Sequence, residues 1–200
     1  MSPEHASNSH TTPPRWIWFI TGPTACGKST IAAFLASSLN FKFLEGDSFH
    51  PAASVDKMSR NEPLTDADRE GWLQALREHE SAVPKDGDSR HLIMTCSALK
   101  RRYRDILRRG GQEAGDLRIR FVMLDAKPEP LKKRAEARKG HFAGKGLVDS
   151  QFEALERPGE DEKDVLIVNV EGELEDTKRE VEKRVREVMG MEDGSFVQVL

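Results

Sequence analysis

A stretch near the start of the chain, GPTACGKST at residues 22–30, has the residue types and spacing that bind the phosphates of a nucleotide. It matches G-x-x-x-x-G-K-[ST], in which backbone N–H groups wrap around phosphate oxygens. Gly22 and Gly27 permit backbone angles and close approaches that a side chain would block. We expect Lys28 to reach the outer phosphates and the hydroxyl of Ser29 to ligate Mg²⁺. The predicted phosphate-binding residues are Gly22, Thr24, Ala25, Cys26, Gly27, Lys28, Ser29 and Thr30.

The segments on either side of this loop have the patterns of a buried strand and an amphipathic helix. Residues 16–20, WIWFI, form an apolar run of strand length. The apolar residues that follow Lys28 fall on one helical face: Ile31, Phe34, Leu35 and Leu39. A strand, a glycine-rich loop and a helix in this order are the context that phosphate binding requires. The alternative is a strand–turn–helix without a ligand.

Further apolar runs at residues 41–44, 91–96, 119–124 and 165–170 alternate with amphipathic helices. This alternation predicts an α/β fold, a P-loop NTPase with a five-stranded, mostly parallel sheet covered by helices on both faces. We expect a disordered leader at 1–14, a single domain at 15–190 and a tail at 191–200. Two insertions are predicted, a substrate-binding flap at about 48–85 and a lid at about 138–160.

The bulk composition excludes several classes of protein. The formal charge of −3 gives no general attraction to nucleic acid or to anionic membranes. No apolar run reaches the length of a membrane span, and the polar start lacks a signal-peptide core. Cys26 and Cys96 are too few for a disulfide framework and favour reduced thiols. We therefore predict a cytoplasmic protein without nucleic-acid or membrane partners.

Carboxylates follow the second predicted strand, where Glu45 and Asp47 flank Gly46. Side chains at the carboxyl edge of an open α/β sheet lie beside the bound ligand. Asp and Gly also form ordinary turns, so this segment alone leaves both interpretations open.

A basic helix follows the strand at 91–96 and carries Lys100, Arg101, Arg102, Arg104, Arg108 and Arg109. A solvated face explains most of these charges, and a nucleic-acid surface is the alternative. Lys100 and Arg104 share a face nearest the strand end, so we select these two as site candidates. Farther along, Lys139–Gly146 is glycine-rich and basic, which predicts either a mobile lid over phosphates or an ordinary surface loop.

Taken together, the motifs resemble those of the gluconokinase family of P-loop sugar-acid kinases. The resemblance covers residues 16 to about 189 and is carried by six segments: GPTACGKS, GDSFHP (46–51), KMSRNEPLTDADREGWL (57–73), CSALKRRYRD (96–105), ARKGHF (137–142) and LVDSQFEALERP (147–158). It implies ATP- and Mg²⁺-dependent phosphorylation of D-gluconate to 6-phospho-D-gluconate, which feeds the pentose phosphate pathway. A nucleoside-kinase-like sheet and, in many members, a homodimer are also implied.

The resemblance assigns roles to individual residues. Lys28, Asp47 and Arg138 would be catalytic, and Arg134 and Arg138 would close from the lid onto the phosphates. Mg²⁺ would be held by Ser29 and, through water, by Glu45, which stands where the family commonly has Asp. The substrate-binding candidates are Asp47, His50, Lys57, Arg69, Lys100, Arg104 and His141, with the two arginines of the flap and basic helix ranked first because Arg binds a carboxylate through two hydrogen bonds.

Other functions share the phosphate loop. A kinase for another small hydroxy acid such as shikimate, or for a nucleoside monophosphate, would have the same fold and a different second site. A nucleotide-dependent switch or binding module is the non-enzymatic alternative, and the absence of an N-K-x-D segment argues against a small GTPase.

Overall fold

The structure, a computed structural model, describes residues 14–60, 62–81, 83–84, 90–137 and 145–192. Its strands are β1 Arg15–Thr21, β2 Lys42–Leu44, β3 Leu92–Thr95, β4 Leu117–Asp125 and β5 Val165–Asn169. Its α-helices are α1 Lys28–Leu39, α2 Ala52–Ser59, α3 Asp66–Ser81, α4 Arg101–Ala114, α5 Pro128–Ala137, α6 Lys145–Glu153 and α7 Leu174–Glu192. A short 3₁₀ helix covers Gly46–Phe49 between β2 and α2.

The strands form one parallel sheet in the order β2-β3-β1-β4-β5, which confirms the predicted five-stranded parallel fold. β1 lies at the centre, with Ile17 opposite Leu92 of β3 and Phe19 opposite Phe121 of β4. The chain after β1 leads to β2 on one side, and the chain after β3 leads to β4 on the other. The chain thus continues in opposite directions across the sheet from β1 and from β3. In an open α/β sheet this reversal of direction opens a crevice, which here lies at the carboxyl ends of β1 and β3.

Alternation along β1 divides the core into two layers because successive side chains of a strand point to opposite faces. Trp16, Trp18 and Ile20 pack against α1, α5 and α7. Ile17 and Phe19 pack on the other side against residues of α3 and α4, including Trp72, Leu73, Leu76, Tyr103 and Leu107. Both faces of the sheet are thus covered, and β1 is held rigidly where it enters the phosphate loop.

α3 begins with a capping box. The backbone N–H of Asp68 donates to Thr65 Oγ1 at 3.2 Å, and the backbone N–H of Thr65 donates to Asp68 Oδ2 at 2.8 Å. This reciprocal pair fixes the start of α3, the helix that carries Arg69 and Trp72 beside the crevice.

No helix in the described part of the chain is long and apolar enough to cross a bilayer.

Glu80, near the end of α3, is fully buried, and neither carboxyl oxygen has a hydrogen-bond partner among the residues that the structure describes. It packs against Gly110 of α4, where an added Cβ would lie 1.9 Å from Glu80 Oε2. Burial raises the pKa of Glu80 to about 9, with Arg77 lowering it and Glu113 raising it. The carboxyl group is therefore protonated in the folded protein at neutral pH.

This burial predicts a loss of stability as the pH rises. Because the folded pKa lies above the ordinary value of 4.5, the folded state holds a proton that the unfolded state has lost between pH 4.5 and 9. The free energy of unfolding should fall across this window by up to about 1.4 kcal/mol for each pH unit, relative to Glu80→Gln. Urea titrations of both proteins at several pH values would measure the difference. Glu78→Gln, at an exposed position of α3, should not change the slope; a parallel pH dependence in wild type and Glu80→Gln would refute the prediction.

Candidate active site

The phosphate loop joins β1 to α1 through residues with positive φ. Gly22 has φ 131°, Ala25 62° and Gly27 100°. A Cβ on Gly22 would lie 2.8 Å from the carbonyl oxygen of Leu124 on β4, so the loop fits against the sheet only with glycine there. Gly27 ends the loop, and α1 begins at the next residue, so the free N–H groups of its first turn border the crevice.

Lys28 is held inside this loop. Its Nζ donates to the carbonyl oxygens of Gly22 at 3.2 Å and Pro23 at 2.9 Å. Ser29 and Thr30 follow in the first turn of α1 and are exposed. A cation, a hydroxyl group and helical N–H groups therefore converge on one point, an arrangement that binds phosphate.

A cavity of about 420 Å³ extends from the phosphate loop to α2 and α3. Several predicted residues line it: Thr24, Ala25, Gly27, Lys28, Ser29, Thr30, Glu45, Asp47, His50 and Arg69. Val55, Met58 and Leu64 add an apolar wall, and Ser97, Ala135, Leu147 and Gln151 complete the lining. The cavity thus joins the predicted nucleotide site to the predicted substrate site. Arg138 and His141 lie outside the described residues.

Glu45 and Asp47 are brought to the cavity by contacts with the end of β3. Thr95 Oγ1 donates to the carboxylate of Glu45 and accepts the backbone N–H of Gly46 at 2.9 Å. A Cβ on Gly46 would lie 1.9 Å from the carbonyl oxygen of Thr95, so a side chain cannot be accommodated there without moving the backbone. Thr95, which sequence reasoning missed, therefore fixes the carboxylate of Glu45 and the backbone that leads to Asp47, although β3 ends without an aspartate.

His50 is packed against Trp72, with ring centroids 4.0 Å apart, and Trp72 Nε1 donates to the carbonyl oxygen of Gly46 at 2.7 Å. Burial lowers the pKa of His50 to about 4; Asp47 opposes this shift and Arg69 adds to it. His50 is therefore neutral at pH 7 and available as a hydrogen-bonding group. A neutral His50 supplies no positive charge to a substrate carboxylate.

Arg69 differs from the other predicted carboxylate ligands because it lines the cavity without a carboxylate partner in the described part of the chain. Its guanidinium lies 5.9 Å from the ring centroid of Tyr103. Lys57 Nζ is instead bound to Asp68 at 2.7 and 2.9 Å, and Lys100 Nζ to Asp66 at 2.8 and 3.2 Å. Neither lysine is among the residues lining the cavity.

Arg104 is not placed to bind a substrate, contrary to our expectation. Its side chain is 0% exposed, and it donates to both carboxylate oxygens of Glu162 at 2.8 and 2.7 Å. Its remaining donors bind main-chain oxygens: those of Ala98 at 3.1 Å, Leu99 at 3.3 Å and Glu156 at 3.2 Å. The i, i+4 spacing placed Arg104 near the strand end but gave no sign of Glu162, which lies 58 residues away in the sequence.

Three predicted phosphate ligands do not line the cavity. Cys26 is buried in the core under the loop, and burial raises the pKa of its thiol, with Lys28 and Arg134 opposing the shift. Arg134 is exposed on α5, and its electrostatic effect on Cys26 places its charge near the phosphate loop. Gly22 shapes the loop but does not line the cavity.

The lining is compatible with a bound Mg²⁺. The hydroxyl of Ser29 and the carboxylate of Glu45 border the same cavity as Lys28, and oxygen donors are the ligands that Mg²⁺ prefers. Across the described ranges, no group of three or more His, Cys, Asp or Glu side chains forms a metal site. The residues present therefore fit a Mg²⁺ ion that is bound by few protein oxygens and by phosphate oxygens of a nucleotide.

The chain is similar to proteins with recorded activities. A family profile described as an AAA domain matches residues 17–158. A probable gluconokinase of Schizosaccharomyces pombe is 40% identical over 169 residues, covering 84% of this chain and 86% of that protein. The thermoresistant gluconokinase of Escherichia coli is 39% identical over 159 residues, covering 80% and 87%. A crystal structure of a gluconokinase from Sinorhizobium meliloti has a TM-score of 0.74 at 32% identity, covering 94% and 99%.

Proposed function

Because the chain belongs to the gluconokinase family of P-loop kinases, we propose that it transfers the γ-phosphoryl group of ATP to the terminal hydroxyl of D-gluconate. The products are ADP and 6-phospho-D-gluconate. The observation that carries this proposal is one cavity that joins Lys28 of the phosphate loop to Asp47 and to Arg69, which has no carboxylate partner among the described residues. An acceptor with a hydroxyl group at one end and a carboxylate at the other matches this arrangement.

Each of these residues has a separate task in the transfer. Lys28 and the N–H groups at the start of α1 bind the β- and γ-phosphates. Asp47 accepts a hydrogen bond from the terminal hydroxyl of gluconate, orients it toward the γ-phosphorus and takes its proton as the new P–O bond forms. Neutral His50 bonds substrate hydroxyls. Arg69 binds the carboxylate through two hydrogen bonds.

Mg²⁺ would be held by Ser29 directly and by Glu45 through water. When bound, it neutralises charge on the β- and γ-phosphate oxygens. Thr95 keeps the carboxylate of Glu45 directed to this position, and Glu45 provides a longer side chain than the Asp that the family commonly has.

The rest of the mechanism also remains a proposal. Arg134 and Arg138 would close on the phosphates, His141 stays a candidate for binding the substrate, and the α2–α3 segment acts as the substrate flap. Water exclusion by these segments would limit hydrolysis of ATP in the absence of an acceptor. The cytoplasmic location and the homodimer stay predictions.

Arg69→Ala should raise KM for gluconate by about 10- to 100-fold and leave kcat nearly unchanged, because a charge-assisted contact of roughly 1.5–3 kcal/mol is lost in the ground and transition states alike. Steady-state assays with gluconate and with the uncharged polyol D-glucitol would measure the effect. The variant should lose most of the preference for gluconate over glucitol.

Arg102→Ala is the matched control. Its guanidinium also lies over Tyr103, at 5.2 Å from the ring centroid, but Arg102 does not line the cavity. The KM of Arg102→Ala for gluconate should stay near the wild-type value. An unchanged KM in Arg69→Ala would place the carboxylate elsewhere.

The position of the transferred group tests the reaction itself. After incubation with ATP, Mg²⁺ and gluconate, phosphorus NMR and mass spectrometry should find a monoester on the terminal carbon. An acyl phosphate on the carboxylate, or a phosphate on a secondary hydroxyl, would contradict the proposed orientation.

A further inference from the structure

Gln151 of α6 lies within the predicted lid at about 138–160 and contacts the phosphate loop. Its Oε1 accepts a hydrogen bond from the backbone N–H of Thr24 at 2.6 Å, across 127 residues of sequence. The residue is 9% exposed and lines the same cavity as Lys28 and Asp47. Neither the apolar residues around Gln151 nor its distance in the sequence from the phosphate loop indicated that it is a site residue.

The contact with Thr24 also fixes the orientation of the carboxamide. A backbone N–H can only donate, so the oxygen of Gln151 faces the loop and the amide nitrogen points to the other side. Among the described residues no group accepts a hydrogen bond from this Nε2. The Nε2 atom is also not one of the fully buried polar atoms that lack a partner. An oriented N–H donor is therefore left for a ligand of the cavity.

α6 holds this donor in place. Val148 is fully buried in the core cluster that includes Leu131 of α5, and Leu147 is nearly buried beside it. Gln151 lies one turn beyond these anchors, on the helix that packs against α5. The side chain is thus positioned by packing at one end and by Thr24 at the other, which reduces the entropy lost on contacting a ligand.

We propose that Gln151 binds the γ-phosphate of the nucleotide: its carbonyl oxygen holds the Thr24 peptide, and its amide group donates to a γ-phosphate oxygen. This inference rests on the proposed function in that the ligand is a nucleoside triphosphate. It assigns α6 a direct part in distinguishing a triphosphate from a diphosphate. The amide group of Gln151 would give the γ-phosphate a hydrogen-bond donor that carries no charge, whereas the donor of Lys28 is a cation.

Binding measurements without an acceptor test the proposal. Calorimetry in Mg²⁺ would give Kd values for ADP and for the β,γ-imido analogue of ATP. Gln151→Leu should weaken binding of the analogue about 10- to 100-fold while changing the ADP affinity by less than about threefold, because a hydrogen bond to a charged group contributes roughly 1.5–3 kcal/mol. A residue that only holds the loop in shape would weaken both ligands alike, and that outcome would overturn the proposal.

Gln151→Glu separates the two ends of the side chain. It keeps an oxygen that accepts the Thr24 N–H but replaces the amide donor with negative charge, so it should discriminate against the analogue at least as strongly as Gln151→Leu. If Gln151→Glu binds ADP and the ATP analogue with wild-type Kd values, the role of Gln151 is only to hold the Thr24 peptide of the loop. Glu153→Gln, at an exposed position of α6, is the matched control and should bind both ligands normally.

These measurements are independent of the acceptor. If gluconate is not the substrate, the ratio of the two Kd values still tests Gln151. If gluconate is phosphorylated and the ratio is unchanged in both variants, only the assignment of Gln151 fails.

Discussion

Asp47→Asn should lower kcat by a factor of about 10²–10⁴ and leave the affinity for ADP nearly unchanged. The asparagine keeps the size of the side chain but cannot take the proton of the attacking hydroxyl, and general-base catalysis contributes a factor of this order. The 3₁₀ helix at Gly46–Phe49 should keep its position, since the backbone N–H of Gly46 donates to Thr95 Oγ1, a contact that does not involve the Asp47 side chain. Steady-state kinetics and ADP calorimetry would measure the two effects separately.

Asp56→Asn provides the control for this substitution. Asp56 lies on α2 and pairs with exposed Arg60 outside the cavity lining, so its loss should leave kcat within about twofold. A near-normal kcat in Asp47→Asn would remove Asp47 from the chemistry and leave its carboxylate a role in binding only.

Arg104→Ala should lower the free energy of unfolding by about 3–5 kcal/mol, because the buried carboxylate of Glu162 loses the cation that binds both of its oxygens. Glu162 would keep Arg108, at 2.7 Å, but lose the guanidinium that binds both of its oxygens. The loop after β3 and the chain after α6 would also lose their shared donor, since Arg104 binds the carbonyl oxygens of Leu99 and Glu156. Urea unfolding followed by circular dichroism would measure the loss.

The same ion pair gives a pH signature. The hydrogen bond with Arg104 is the main cause that holds the pKa of Glu162 at about 2, below its ordinary 4.5, although burial opposes it. A depressed carboxyl pKa contributes stability that is present above pH 4.5 and is lost as the pH falls toward 2. Arg104→Ala should therefore lose less stability at pH 3 than at pH 7.

Arg101→Ala is the matched control on the same helix. Its pair with Asp161 is exposed on both sides, so the free energy of unfolding should change by less than about 1 kcal/mol. A similarly small change in Arg104→Ala would mean that the buried pair contributes little to the fold.

The sheet and the phosphate loop were predictable from sequence because their causes are local. The apolar run at 16–20 indicates a strand buried on both faces, and the glycines of 22–27 indicate the loop through their backbone requirements. The Thr65–Asp68 capping box likewise depends on residues three apart. Each of these signals lies within one element and its neighbours, where periodicity and residue type are informative.

The substrate site was less predictable because it depends on partners distant in sequence. Arg69 and Arg104 were ranked equally and above Lys57. The structure separates them, because Glu162 binds Nε and Nη2 of Arg104 in the interior and Asp68 binds Lys57. His50 loses its charge through burial against Trp72, which no local pattern reveals. The residue types therefore selected Arg69 and Arg104 together, and only the partners of Arg104 show that it does not face the cavity.

Thr95 and Gln151 were missed for a related reason. Threonine at the end of a strand and glutamine in a short helix are ordinary in those positions, and neither matches a motif of the phosphate loop. Each gains its importance from one hydrogen bond, to Glu45 and to Thr24 respectively. The nearest sequence signal was the absence of an aspartate at the end of β3, which left the support of Glu45 unexplained.

Release of ADP in the presence of Mg²⁺ and ATP tests the central claim most directly, with D-gluconate, shikimate, glycerate, nucleoside monophosphates and no acceptor compared side by side. We predict strong stimulation by gluconate and little by the others, with Asp47→Asn inactive under the same conditions. Stimulation by another acceptor would keep the kinase and refute the substrate, whereas slow hydrolysis that no acceptor stimulates would contradict the kinase itself.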